Sequence, residues 1–187
     1  MVKKIRSCVF ISGNGSNLKS IIKNSREYNF PIKIELIISN NIKARGLQIA
    51  KKYSIPYKFL SSENQKKFER NCLFEINKRK IKFLCLAGFM KVLSNNFIKS
   101  FGYKIINIHP SLLPKYKGLD THKRVLKNKE KYSGCTVHFV TPKVDSGKII
   151  LQKKVLIAKN ETEKSLRKKI LVQEHKIYPK SIISIFK

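Results

Sequence analysis

Ser7-Cys8-Val9-Phe10-Ile11-Ser12-Gly13-Asn14-Gly15-Ser16-Asn17 carries the reading that decides the fold. An apolar run with no interruption runs into a glycine loop, and a helix from about Leu18 to Ser25 follows. A strand that passes through such a loop into a helix is the first half of a parallel βαβ unit. The same alternation continues outward. Strands are expected at Ile32–Ile38, Tyr57–Leu60, Phe83–Ala87 and Ile105–Ile108. Helices are expected at Ala44–Tyr53, Asn64–Lys80 and Ser94–Phe101. The pattern then changes to two strands, Thr136–Val140 and Lys148–Ile157, that pair antiparallel. A last helix covers Glu161–His175, begun by Thr162, with Pro179 beyond its end. The fold class is α/β: a single doubly wound, mostly parallel sheet with an antiparallel C-terminal addition, over one domain spanning 1–187.

Ile105-Ile106-Asn107-Ile108-His109-Pro110-Ser111-Leu112-Leu113-Pro114 is the stretch with the clearest chemistry. Side chains two apart on an extended segment share a face. Asn107 and His109 therefore reach one pocket, a neutral donor beside a titratable acid/base. Pro110 stops the strand. Asp145, in a Val-Asp-Ser-Gly turn, is an ordinary turn aspartate or, folded back on His109, a carboxylate that favours its charged form. Gly13 and Gly15 suit either a tight turn or an anion at a helix N-terminus, with Ser16 and Asn17 as donors. Glu174-His175 on the last helix reads as an exposed or capping pair. His122 and His138 beside His109 lack the cysteines or paired carboxylates of a metal cluster, and no metal is expected.

The 187 residues are 42% hydrophobic, enough for a core, and no apolar run approaches a membrane span of about 20 residues. Met1–Arg6 is short and basic and leads straight into the first strand, which does not resemble a signal peptide. The four cysteines form no C-x-x-C pair and are expected to be reduced thiols in a cytoplasmic protein. The formal charge of +30 is spread along the chain rather than gathered on one helix or interleaved with aromatic residues. A basic surface that draws small anionic substrates fits better than a nucleic-acid partner.

Ile11–Leu18, Leu86-Ala87-Gly88-Phe89-Met90, Asn107–Tyr116, Gly134–Val140, Asp145-Ser146-Gly147 and Gln173-Glu174-His175 together resemble the phosphoribosylglycinamide formyltransferase family. The resemblance implies transfer of a formyl group from 10-formyltetrahydrofolate, a cosubstrate and not a resident cofactor, to the amine of phosphoribosylglycinamide in purine synthesis. It implies a catalytic trio of Asn107, His109 and Asp145. Asn107 and a protonated His109 would stabilise the oxyanion, with Asp145 raising the pKa of His109. Gly15, Ser16 and Asn17 would hold the substrate phosphate, and Glu174 would contact its ribose. Met90, Lys91, Val92 and Leu93, with Asn107 and Asp145, would line the folate pocket. Two positions depart from the family: Gln65 stands where an arginine usually meets the folate, and Leu171 where a glutamine is common. The chain also stops at Lys187 without the usual C-terminal extension.

A methionyl-tRNA formyltransferase would carry a further C-terminal domain, and a formyltetrahydrofolate hydrolase a domain before the first strand. A nucleic-acid-binding protein on a degenerate fold would not keep all three of Asn107, His109 and Asp145. The expected solution state is a monomer or homodimer.

Overall fold

A computed structural model describes residues 4–187. Met1–Lys3, read above as part of the basic lead, lie outside the described residues. The elements run β1 (Ile5–Ile11), α1 (Ser16–Ser25), β2 (Ile32–Ser39), α2 (Arg45–Lys52), β3 (Tyr57–Phe59), α3 (Gln65–Lys78), β4 (Phe83–Leu86), α4 (Asn95–Phe101), β5 (Ile105–His109), α5 (Thr121–Lys127), β6 (Tyr132–Phe139), β7 (Ile149–Leu156) and α6 (Glu163–Ile185).

All seven strands form one sheet in the order β3-β2-β1-β4-β5-β6-β7. β1 to β5 run parallel to one another, β6 pairs antiparallel with β5, and β7 pairs antiparallel with β6. The sheet is α/β and doubly wound, with the antiparallel addition at its C-terminal edge. Alternation along the strands divides the core between its two faces. Val9 and Ile11 pack with α1, α5 and α6 on one face. Cys8 and Phe10 pack with α3 and α4 on the other. The chain winds outward from β1 to β3 and then returns to place β4 on the other side of β1. That reversal is the switch point at whose carboxyl end open α/β sheets bind their ligands.

Three differences from the sequence expectation have physical reasons. Pro179 lies inside α6, not beyond it. Proline lacks the N–H that would bond the carbonyl of residue 175; the Ser20 hydroxyl of α1 donates to that carbonyl instead, at 2.8 Å. Burial of Tyr178 and Ile182 against the sheet holds the last turns in place. α5 was not anticipated: it is a short helix that buries only Thr121 and Val125, too few positions for a periodic signal. β6 begins at Tyr132, four residues before the expected Thr136, because Gly134 is a strand residue here. A Cβ on Gly134 would meet the Lys153 carbonyl at 2.1 Å, so the closeness of β7 requires glycine.

The four cysteines are free and buried, and burial pushes the Cys135 thiol up to about 12. Tyr178, fully buried, donates from its hydroxyl to the carbonyls of Leu86 at 2.8 Å and Ile106 at 3.3 Å, tying α6 to β4 and β5. Tyr178→Phe is expected to cost about 1 kcal/mol, read as a lower urea midpoint with an unchanged slope.

Candidate active site

Leu86 at the end of β4 lies level with Phe10 on β1 and Asn107 on β5. The loops after β1 and β4 therefore leave the sheet at the end that carries Asn107 and His109. They are joined there: Ser12 N–H donates to the Gly88 carbonyl at 3.1 Å, and Met90 N–H to Ser12 Oγ at 2.8 Å.

His109 is 6% exposed at the last position of β5. Its Nδ1 lies 3.3 Å from Asp145 Oδ2, so the turn aspartate does fold back onto it. Its Nε2 lies 2.8 Å from the Tyr116 carbonyl. A carbonyl only accepts, so Nε2 carries a proton. Nδ1 is thus the edge that can gain or lose one, in direct contact with a carboxylate. Asp145 also accepts Gly118 N–H at 2.8 Å. Burial pushes the Asp145 carboxyl up, but His138 and His109, through the proton and charge each brings when protonated, and the Gly118 amide outweigh it and hold it below its ordinary value.

Asp145 does pull the His109 pKa upward, but burial is the larger influence. It leaves His109 below its ordinary value despite the Tyr116 carbonyl and Asp145, with His138 and Arg124 adding to the fall. In the ligand-free protein the imidazole is therefore predominantly neutral at pH 7.

His138, read from sequence only as a member of an unsupported metal trio, belongs to this cluster. β5 and β6 pair with Asn107 opposite His138. Its Nδ1 lies 2.8 Å from the Phe139 carbonyl and so carries the proton. Its Nε2 then accepts from Asn107 Nδ2 at 3.3 Å and lies 3.5 Å from Asp145 Oδ1. His138 thereby uses one N–H of Asn107 and leaves the other free. The cross-strand register that reveals this was not legible until β6 was known to lie beside β5. Tyr116 supplies its carbonyl from a left-handed backbone (φ 56°), and its hydroxyl donates to Glu130 at 2.9 Å. A cavity of about 360 Å³ borders Tyr116, Val125 and Ser133, but Asn107, His109 and Asp145 are not among its walls.

Across the switch point, Gly15 adopts a left-handed conformation (φ 72°) before α1. A Cβ there would meet Gly46 Cα at 2.6 Å, so the loop lies against the start of α2. No side chain caps α1, leaving its first turn open to an anion. Ser16 and Asn17 are the first two residues of that helix. Asn17 Nδ2 donates to Glu174 Oε2 at 2.6 Å, a contact between residues 157 apart in sequence. Asn17 Oδ1 is buried without a partner. Asn17 keeps a second amide N–H, and with the free backbone N–H groups of this turn it adds to a set of donors suited to an anion. Glu174 is 6% exposed; burial raises its pKa, against the opposing pull of Asn17 and Arg167.

In the segment after β4, Met90, Lys91 and Val92 are exposed and Leu93 is buried. Met90 is 63% exposed, so an apolar side chain stands open beside the crevice.

A family model described as "Formyl transferase" matches residues 5–182. The chain belongs to the formyl transferase family. It is 38% identical over 174 residues to phosphoribosylglycinamide formyltransferase of Escherichia coli, covering 91% of this chain and 82% of that protein. The protein of that name from Haemophilus influenzae is 39% identical over 184 residues, covering 95% and 84%. The human "Trifunctional purine biosynthetic protein adenosine-3" is 39% identical over 183 residues, 96% of this chain but 18% of that protein. The chain thus spans under a fifth of that longer relative. Among solved formyl transferase structures, phosphoribosylglycinamide formyltransferase from Anaplasma phagocytophilum superposes with a TM-score of 0.91 at 39% identity, covering 96% of this chain and 85% of that one. Glycinamide ribonucleotide transformylase 1 from Geobacillus kaustophilus gives 0.94 at 29% identity, covering 99% and 100%.

Proposed function

We propose that the protein transfers the formyl group of 10-formyltetrahydrofolate to the amine of phosphoribosylglycinamide, in the cytoplasm, as a step of purine synthesis. The observation that carries this reading is the junction of Asn107, His109 and Asp145 at the carboxyl end of the sheet, opposite an uncapped helix N-terminus joined to Glu174. The first group suits acyl transfer to an amine. The second suits a phosphorylated sugar, with phosphate on Gly15, Ser16 and Asn17 and the ribose on Glu174. The segment Met90–Leu93 holds the folate.

In the reaction the amine nitrogen bonds to the formyl carbon, and negative charge grows on the formyl oxygen. The free N–H of Asn107 and the proton on His109 Nδ1 stabilise that charge. One donor of this kind is typically worth roughly 3 kcal/mol in the transition state. Growing negative charge beside His109 offsets the burial that keeps the free imidazole neutral, so the proton is held more tightly as the reaction proceeds. The bond from carbon to the folate nitrogen then breaks. The amine loses a proton, the folate nitrogen gains one, and tetrahydrofolate leaves. Asp145, facing both imidazoles, is the group placed to pass that proton. No metal is required, because the formyl group arrives activated on its carrier. We take the partners to be these two small molecules, and the enzyme to act as a monomer or homodimer.

The test offers purified protein 10-formyltetrahydrofolate with phosphoribosylglycinamide, methionyl-tRNA or water as acceptor. Tetrahydrofolate is expected to form with the glycinamide alone. Release with methionyl-tRNA or water instead, or with none of the three, would overturn the assignment.

A further inference from the structure

A short irregular segment keeps one shape only where its polar groups find partners. Met90–Ser94 is held at both ends. At the first, Ser12 Oγ accepts the Met90 N–H and donates to Asn40 Oδ1 at 2.7 Å. At the other, the partner is Glu69, a carboxylate on α3 that is 7% exposed. A carboxylate so buried is unfavourable unless it is well bonded, and Glu69 is. Its Oε1 accepts Ser94 N–H at 2.7 Å and Gln65 Nε2 at 3.1 Å. Its Oε2 accepts the Ser94 hydroxyl at 2.5 Å. Because that hydroxyl gives its proton to Glu69, its lone pairs remain for Phe97 N–H at 3.1 Å, which caps α4. Gln65 Nε2 also donates to the Val92 carbonyl at 3.0 Å.

Both N–H groups of Gln65 are therefore used within the chain. Gln65 has no donor left for a ligand carboxylate, although it occupies the position where the family resemblance places a folate-facing arginine. It acts instead as a brace between Glu69 and Val92. A single carboxylate thus fixes the side-chain amide that holds Val92, the backbone of Ser94 and the cap of the next helix.

We propose that Glu69 is a positioning residue for the cosubstrate: through Gln65 and Ser94 it sets the backbone shape of Met90–Ser94, on which the folate rests. The proposal depends on the folate reading of Met90–Leu93 made above. Glu69 does not reach the reacting atoms. Its loss weakens folate binding and leaves the chemical step and the glycinamide site intact.

Glu69→Gln tests this with little change of volume. An amide has one acceptor oxygen where the carboxylate has two, so the Ser94 hydroxyl that donates to Oε2 loses its acceptor. In the ligand-free variant, backbone hydrogen exchange over residues 90–94 is expected to rise about tenfold or more, with β5 and the middle of α6 unchanged. In steady state, KM for 10-formyltetrahydrofolate is expected to rise about tenfold, the effect of losing one hydrogen bond. KM for phosphoribosylglycinamide and kcat stay within about twofold by the same reasoning. Gln65→Ala added to Glu69→Gln brings little further loss, because the two act through one brace.

Unchanged exchange over 90–94 would overturn the brace. Faster exchange with an unchanged folate KM would overturn the link to the cosubstrate. A shared rise in both KM values, or a fall in kcat matched by a lower Tm, would reduce Glu69 to a merely structural role and overturn the proposal. Failure of the wild-type protein to use 10-formyltetrahydrofolate at all would defeat the functional assignment, and the positioning role with it, whatever exchange shows.

Discussion

Asp145→Asn is expected to lower turnover on the order of 10³-fold while the protein stays folded. The fold survives because the substitution keeps the shape. The Asn oxygen still accepts the Gly118 N–H that Asp145 accepts at 2.8 Å. Its new amide donor faces His138 Nε2, which lies 3.5 Å from Asp145 Oδ1 and has a lone pair to give. What disappears is the negative charge 3.3 Å from His109 Nδ1. Burial already holds the His109 pKa below its ordinary value, with the Tyr116 carbonyl and Asp145 opposing the fall. Without the carboxylate the pKa falls further, and less His109 carries the proton that the proposed reaction uses.

The sign of the pH effect follows. If protonated His109 is required, kcat/KM declines as pH rises through the His109 pKa of the free enzyme. In Asp145→Asn that decline moves to lower pH. His109→Ala abolishes it and loses turnover on a similar scale, and the double variant is scarcely worse than the poorer single one, because the two side chains act as a unit. Rate profiles from pH 5 to pH 9 decide the matter. A loss under about tenfold, or an unmoved profile in Asp145→Asn, would remove the carboxylate from its assigned role.

Why some of this was legible in sequence and some was not follows from the range of each interaction. Asn107 and His109 were visible as a pair because a strand's two-residue period is a local property. His138 was not, because its role depends on β6 lying antiparallel to β5 with Asn107 opposite it. The contact between Asn17 and Glu174 joins the first helix to the last, and no local pattern encodes it. Resemblance named both residues, yet only the geometry shows that Asn17 turns one of its two donors toward Glu174. Pro179 misled for a related reason. Its local cost is met by a hydroxyl from another helix, which periodicity within α6 does not contain. Gln65, read as a bare departure, turns out to have its donors committed inside the chain.

Glu174→Gln is expected to stabilise the ligand-free protein and to impair substrate binding. Burial raises the Glu174 pKa above its unfolded value, so the folded state favours the neutral acid. For a carboxyl with a raised folded pKa, stability falls as pH climbs from the unfolded pKa through the folded one. The ionised group's cost is fully present above that window and absent below it. A neutral glutamine avoids this cost, and its oxygen can still accept Asn17 Nδ2. The expected gain at pH 7.5 is about 1 kcal/mol, or a Tm higher by roughly 2–4 °C for a chain of this size. The gain disappears near pH 4, where the carboxyl is protonated in both states. His109, His122 and His175 are all lowered by burial and add an opposite trend, destabilising the fold as pH drops below about 6.5. Because both proteins share those histidines, the difference between them isolates Glu174. Binding moves the other way. An ionised carboxylate is a strong acceptor for sugar hydroxyl groups, and an amide in its place is weaker by about 1 kcal/mol per hydrogen bond. KM for phosphoribosylglycinamide should therefore rise by about five- to tenfold, with the folate KM unchanged. Thermal melts at pH 4 and pH 7.5, set beside both KM values, read out the whole claim. A variant that is less stable at pH 7.5, or that binds the glycinamide normally, would show that Glu174 serves the fold rather than the substrate. The expected opposite signs would show that this buried charge is kept for binding at a cost to stability.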